Sequence, residues 1–268
     1  MLLIFAKRPT YFDGRHHGIM PVAVFITAAL PLQRLLDVSN FLFDIPLYQR
    51  PYQWTHVQTT QLLRDLHYGY KEQKQKPNCS YPVLLGNLVL LHQKSSDFRA
   101  AAESSTPLWW SNTVHFCDVI DGQQRLTTLC ILYAALQHEL LQHKGDLEKE
   151  KAKQLRKRFV TNRLLLQTAN PKFGRWFGMD IEGLSKGLDG LLDDKRRSAD
   201  GGTERTNARL ILKWLKSADF GDEHLMGLQG FLDYLDQHVF LTMTLTAEMD
   251  LAFRTFTSLN YSGEASCF

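Results

Sequence analysis

The chain's 268 residues suffice for one large domain or two modest ones, because single cores stop growing near roughly 250–300 residues. With 44% hydrophobic and 22% charged residues, the composition excludes a disordered or fibrous class. The formal net charge of +3 accommodates a nucleic-acid partner without predicting one, since strong electrostatic binding shows as a dense basic face.

In chain order, residues 1–30 read as an N-terminal extension. Its apolar run from Ala23 to Leu30 is far shorter than the ~20 residues a bilayer span needs. The residues before it, including His16 and His17, do not make the charged region and cleavage site of a signal peptide. An upstream extension, or translation beginning at Met20, accounts for this piece equally well. With no span found anywhere and reduced thiols as the plain reading of Cys79, Cys117, Cys130 and Cys267, a cytoplasmic protein is expected. The cysteines form neither a CxxC pair nor a zinc-type cluster, and Cys117 and Cys130 read as small core residues.

Leu32, Leu35 and Leu36 predict a short helix to about Val38. Phe43, Ile45 and Leu47 alternate with polar or turn residues as a strand does, and Pro46, lacking a ladder donor, puts that strand at a sheet edge. A helix follows over about Val57–Tyr70. Pro82–His92 reads as a buried strand with Gly86 marking a bulge or a close backbone approach. Residues 93–112, rich in Ser and Ala, read as a surface insertion between paired strands.

Val114–Ile120 is the second strand of that pair. Beyond it Leu126, Leu129, Cys130, Tyr133, Leu136 and Leu140 recur at three- and four-residue steps, predicting an amphipathic helix to about His143. Lys144–Arg158 reads as a solvated helix face and Asp193–Asn207 as a loop. Helices are expected at Ala208–Ser217 and about Glu223–His238, a strand at Leu241–Leu245 and a last helix at Glu248–Leu259.

The polar residues of VIDGQQRLTTL (Val119–Leu129) sit at the predicted strand-to-helix junction. Amides at a helix N-terminus lack intrahelical partners and carry partial positive charge, so such an end attracts phosphate. Gly122 would let the backbone approach an anion, Arg125 adds a forked cation, and Thr127 and Thr128 supply hydroxyls. Asp121 makes sense beside phosphate where a divalent cation or a water needs a carboxylate oxygen. The same residues admit a structural reading, in which Asp121 caps the helix and pairs with Arg125. No GKT or GKS follows the glycine, so this is not a Walker motif. A second polar cluster, Asp44–Trp54, puts Tyr48, Gln49, Arg50, Tyr52 and Trp54 on a strand end and turn, where Arg50 suits phosphate and the aromatics suit either stacking on a base or packing.

IPLYQRPYQW (Ile45–Trp54), LLGNLVL (Leu84–Leu90), VIDGQQRLTTL and FTSLNYSG (Phe256–Gly263) occur in the order seen in the ParB-like N-terminal domain of the GmrSD type IV restriction family, which the chain resembles from about Leu32 to Gly263. The resemblance implies an α+β fold of ParB/sulfiredoxin type, with a small mixed sheet and helices followed by a mainly helical region. Residues 31–143 would be the nucleotide-binding core, and residues 144–268 the helical region carrying a returning strand and the Asn-x-x-Gly segment. It further implies an NTP-binding and NTP-hydrolysing regulatory domain of a phage-defence restriction system acting on modified DNA, with Mg²⁺ as cofactor.

On that likeness Asp121, Gln124 and Arg125 are the catalytic set and Asp121 the metal ligand. Tyr48, Gln49, Arg50, Gly122, Gln123, Thr127, Thr128 and Asn260 form the nucleotide site. DNA, an HNH nuclease domain or subunit and a second copy of the chain are the expected partners, with no membrane. The chain reads as truncated after Gly263, and its scattered histidines offer no HNH constellation, so cleavage of DNA by this polypeptide alone is not expected. A second function class stays open: a non-catalytic module that recognises DNA or a partner nuclease. Direct ParB-type nuclease action is a third, disfavoured by the lack of an assembled metal-and-nucleophile set.

Overall fold

The computed structural model describes residues 25–36, 40–46, 48–104, 106–108, 113–142, 203–221 and 224–264. Chain order is β1 (Ile26–Pro31), α1 (Leu32–Leu35), β2 (Phe41–Asp44), α2 (His56–Gln75), β3 (Val83–His92), α3 (Ser95–Glu103), β4 (His115–Asp121), α4 (Gln123–Gln142), α5 (Thr203–Ser217), α6 (His224–His238), β5 (Val239–Thr246) and α7 (Met249–Glu264). The five strands form one mixed sheet in the order β1-β5-β3-β4-β2. β2 runs parallel to β4 and β3 parallel to β5, while β1/β5 and β3/β4 are antiparallel. The fold is therefore α+β with a mixed sheet, as expected.

Alternation along the strands divides the sheet into two faces. One face carries Phe41, Phe43, Leu88, Leu90, Cys117, Val119, Leu241, Met243 and Leu245 into the main core, with Leu63 and Leu66 of α2, Leu126 and Leu129 of α4, Leu215 of α5 and Phe231 of α6. The other face packs Val89, Leu91 and Ile120 under Ala252 and Leu259 of α7. Cys117 and Cys130 are both buried free thiols.

β2 does lie at an edge, but it ends at Asp44, short of the Ile45 and Pro46 that the alternation assigned to it, so the missing donor of Pro46 interrupts nothing. β5, contributed from beyond residue 203, lies inside the sheet between β1 and β3, so the returning strand completes the layer that the earlier strands begin. The apolar run before Pro31 supplies edge strand β1, paired with β5 from Ile26↔Leu245 to Pro31↔Phe240.

Three expectations change. The insertion after β3 contains helix α3, which buries Phe98. The segment read as a loop to Asn207 turns helical at Thr203. Two side chains of that first turn bind the loop before α2: Thr203 Oγ1 donates to the Tyr52 carbonyl at 3.0 Å, and Asn207 Nδ2 donates to the Trp54 carbonyl at 2.7 Å. The first helix stops at Leu35, with Leu36 closing its only turn by a 2.8 Å bond to the Leu32 carbonyl. The charged stretch Lys144–Arg158 lies outside the described residues.

Candidate functional site: the strand-to-helix turn

The pairing of β3 with β4 jumps from Leu90↔Val119 to Val89↔Asp121, which leaves Ile120 as an extra residue. Such a bulge re-aims the residue after it. Strict alternation would send Asp121 to the core face of Val119; the bulge instead sets it opposite Val89, and it stays half-buried rather than within the main core, where an unpaired charge is costly. The extra residue's carbonyl is met by Gln49, whose Nε2 donates to Ile120 O at 2.9 Å.

Gly122 then turns the chain at φ +91°, a backbone conformation that a Cβ disfavours. Its bare Cα also fits tightly, because a Cβ there would lie 3.0 Å from both the Asn87 carbonyl oxygen and Leu88 Cδ1. Glycine at this position therefore answers to β3 packing as well as to any approach by a ligand. α4 begins at once, its first described bond running from Leu126 N–H to Gly122 O at 2.9 Å. The amides of Gln123, Gln124 and Arg125 precede that ladder, and glycine has no side chain to cap them.

Both glutamines of the turn hold the loop that follows β2. Gln123 Nε2 donates to the Arg50 carbonyl at 2.9 Å. Gln124 Oε1 accepts from Gln53 N–H at 2.6 Å and Trp54 N–H at 3.2 Å, while its Nε2 donates to the Pro51 carbonyl at 3.1 Å. With the Gln49 bond, five hydrogen bonds clip residues 49–54 onto residues 120–124. Arg50 is an exposed residue of that loop.

Arg125 leaves the helix on the side of β3. Its Nη1 donates to the Asn87 carbonyl at 3.1 Å, beyond the last β3–β4 pair. The guanidinium lies against Gly86, whose φ is +95°; a Cβ there would meet Nη2 at 3.4 Å and Cζ and Nη1 at 3.6 Å. Burial pulls the Arg125 pKa down from its ordinary value, and the neighbouring Asp121 charge opposes that shift. Gly86 was expected to mark a bulge or a close backbone approach; the pairing with β5 does shift between Leu84 and Asn87, and the group that approaches is Arg125, a tertiary contact with no local signal.

The threonines lie deeper than the other predicted residues. Thr128, fully buried, donates Oγ1 to Gln124 O at 2.8 Å and shares a 2.8 Å bond with the Tyr52 hydroxyl. Asn207 Nδ2 donates to that hydroxyl at 2.9 Å, so Tyr52 is a core residue tied into a polar network. Thr127 is also fully buried, and its Oγ1 has no hydrogen-bond partner among the described residues. Tyr48 is 55% exposed, and its ring centroid lies 6.0 Å from that of Phe253 on α7. Burial, and then the nearby Asp118 charge, raise its pKa. Asn260 falls within α7, the helix that covers Ile120.

Among the described residues no three His, Cys, Asp or Glu side chains gather as a metal site. A lone carboxylate at Asp121 fits Mg²⁺ that arrives already bound to phosphates, since that ion commonly uses one or two carboxylates, substrate oxygens and water. No described helix is long and apolar enough to cross a membrane.

These features define an α+β domain whose polar strand-to-helix turn is clamped by a second motif from the edge-strand loop. Residues 32–265 match the family model for the N-terminal domain of the GmrSD restriction endonuclease. The chain belongs to that family and thereby to a restriction and phage-defence system. No curated protein matches it.

Proposed function

We propose that this domain binds a nucleoside triphosphate with Mg²⁺ at the N-terminus of α4 and hydrolyses it to regulate a restriction activity directed at modified DNA. The observation that carries this reading is the clamp: Gln123 holds the backbone of exposed Arg50 against the start of α4, whose first turn also bears Arg125 with the Asp121 charge beside it. Two cations and the amides of a helix N-terminus suit a triphosphate. Asp121 orients the Mg²⁺ that the phosphates carry or the attacking water. Gln123 and Gln124 act by fixing the loop that presents Arg50. The nucleotide state in turn governs engagement of DNA and of an HNH nuclease, as a further domain or a subunit.

The test is Mg²⁺-dependent phosphate release by the purified chain. Asp121→Ala combined with Arg125→Ala is expected to abolish release while the helical circular-dichroism signal persists. A retained rate in the double variant overturns the assignment.

A second reading has its own support. Gln49, Gln123, Gln124 and Arg125 all bond to backbone within the domain, as they would in a fold-stabilising lock of a non-catalytic module for DNA or a partner nuclease. That reading predicts no turnover under any Mg²⁺ or nucleotide condition.

A further inference from the structure

The α7 side of the sheet holds an aromatic pair that no phosphate contact uses. Tyr48 is 55% exposed and Phe253 40% exposed, although their rings are in contact at 6.0 Å between centroids. Packing residues at a loop-to-helix contact are ordinarily covered, so two open rings side by side offer an exposed stacking surface. Its position ties it to the turn. Gln49, the next residue, is fixed on the Ile120 carbonyl, and Gln123 holds the carbonyl of Arg50. Tyr48 and Arg50 flank the fixed Gln49, and two residues of chain span at most about 7 Å.

The bulge at Ile120 sets Asp121 opposite Val89 at the end of β4. Asp118, earlier on the same strand, is close enough for its charge to act on the Tyr48 phenol, with one carboxylate oxygen taken by Gln93 Nε2 at 2.6 Å. A carboxylate beside the rings repels phosphate but accepts N–H groups from a base edge. The loop therefore carries an exposed cation at Arg50 and, two residues earlier, an exposed aromatic with an acidic neighbour at Tyr48.

We propose that Tyr48 and Phe253 form the nucleobase subsite of the nucleotide whose phosphates sit at the N-terminus of α4. This rests on the nucleotide reading and adds to it the part of the ligand that the β4–α4 turn cannot hold. Stacking accepts any base, because every base has a π-face, so the pair contributes affinity and orientation while selecting weakly among bases.

The experiment compares two probes on the full chain by calorimetry with Mg²⁺: the four common nucleoside triphosphates, and inorganic triphosphate, which has no base. The variants are Tyr48→Ala, Phe253→Ala and Tyr48→Phe. Each alanine variant is expected to weaken nucleotide binding about tenfold, within the range that loss of one base–aromatic stack produces, and to leave inorganic triphosphate binding unchanged. Tyr48→Phe is expected to restore nucleotide binding. Equal weakening for both probes, or none for nucleotides, overturns the subsite while leaving the phosphate site in place. Failure of the wild-type chain to bind either probe overturns the phosphate site and this inference together.

Discussion

Gly122 and Gly86 have nearly the same backbone angle, φ +91° and +95°, but different neighbours, and replacing each with alanine separates strain from packing. Placing a side chain in left-handed backbone costs about 1–2 kcal/mol, and the reduced freedom of the unfolded chain returns about 0.4–1 kcal/mol. At Gly86 the new methyl meets the end of the Arg125 side chain at 3.4 Å, which is mobile enough to move aside. Gly86→Ala should therefore cost about 1 kcal/mol. At Gly122 the methyl meets the backbone oxygen of Asn87 at 3.0 Å, and strand β3 itself must move. Overpacking of this kind adds about 1–3 kcal/mol, for a total near ~3 kcal/mol. Urea unfolding of the two variants and the wild type measures the difference. Gly122→Ala no less stable than Gly86→Ala would refute the packing argument and return that glycine to a purely ligand-facing role.

Two further outcomes follow from contacts already described. Gln124→Ala removes three bonds to residues 51, 53 and 54, at a cost of about 1–2 kcal/mol for partly exposed bonds. Hydrogen exchange at the Gln53 and Trp54 amides should accelerate, and unchanged protection there would contradict the clamp. His92 Nε2 and His115 Nδ1 lie 3.1 Å apart and buried; burial, and then the His92 charge, lower His115 from 6.5 to about 4. The folded state thus binds fewer protons than the unfolded chain, so this contribution to stability is complete above about pH 6.5 and is lost as pH falls toward about 4. Urea midpoints should fall from pH 7 to pH 5 in the wild type and fall less in His92→Gln/His115→Gln. Parallel profiles would contradict the assignment to this pair.

The strand-to-helix turn was legible because it depends on local pattern. Val119 and Ile120 end a strand, Gly122 turns it, and Leu126, Leu129 and Cys130 begin a helix. The bulge at Ile120 was not legible: it is a mismatch of register with β3, which no local window contains, and yet it decides which residue stands opposite Val89. The glutamines looked like ligand groups because an amide reads identically whether its partner is a phosphate or a backbone 71 residues away, as for Gln49 and Ile120. Helix α3 has one buried anchor, Phe98, too few for a period to show. The start of α5 was hidden in a run of Gly, Asp and Arg because Thr203 and Asn207 are held by Tyr52 and Trp54, more than 150 residues earlier in the chain.

The account depends on two arginines from separate segments acting on one anion. A double-mutant cycle of Arg50→Ala and Arg125→Ala, read as the dissociation constant for a Mg²⁺-nucleoside triphosphate, tests it directly. Each single variant is predicted to weaken binding at least tenfold, and the pair to depart from additivity, because groups that share a ligand couple. Wild-type affinity in Arg50→Ala, or full independence of the two substitutions, would contradict it.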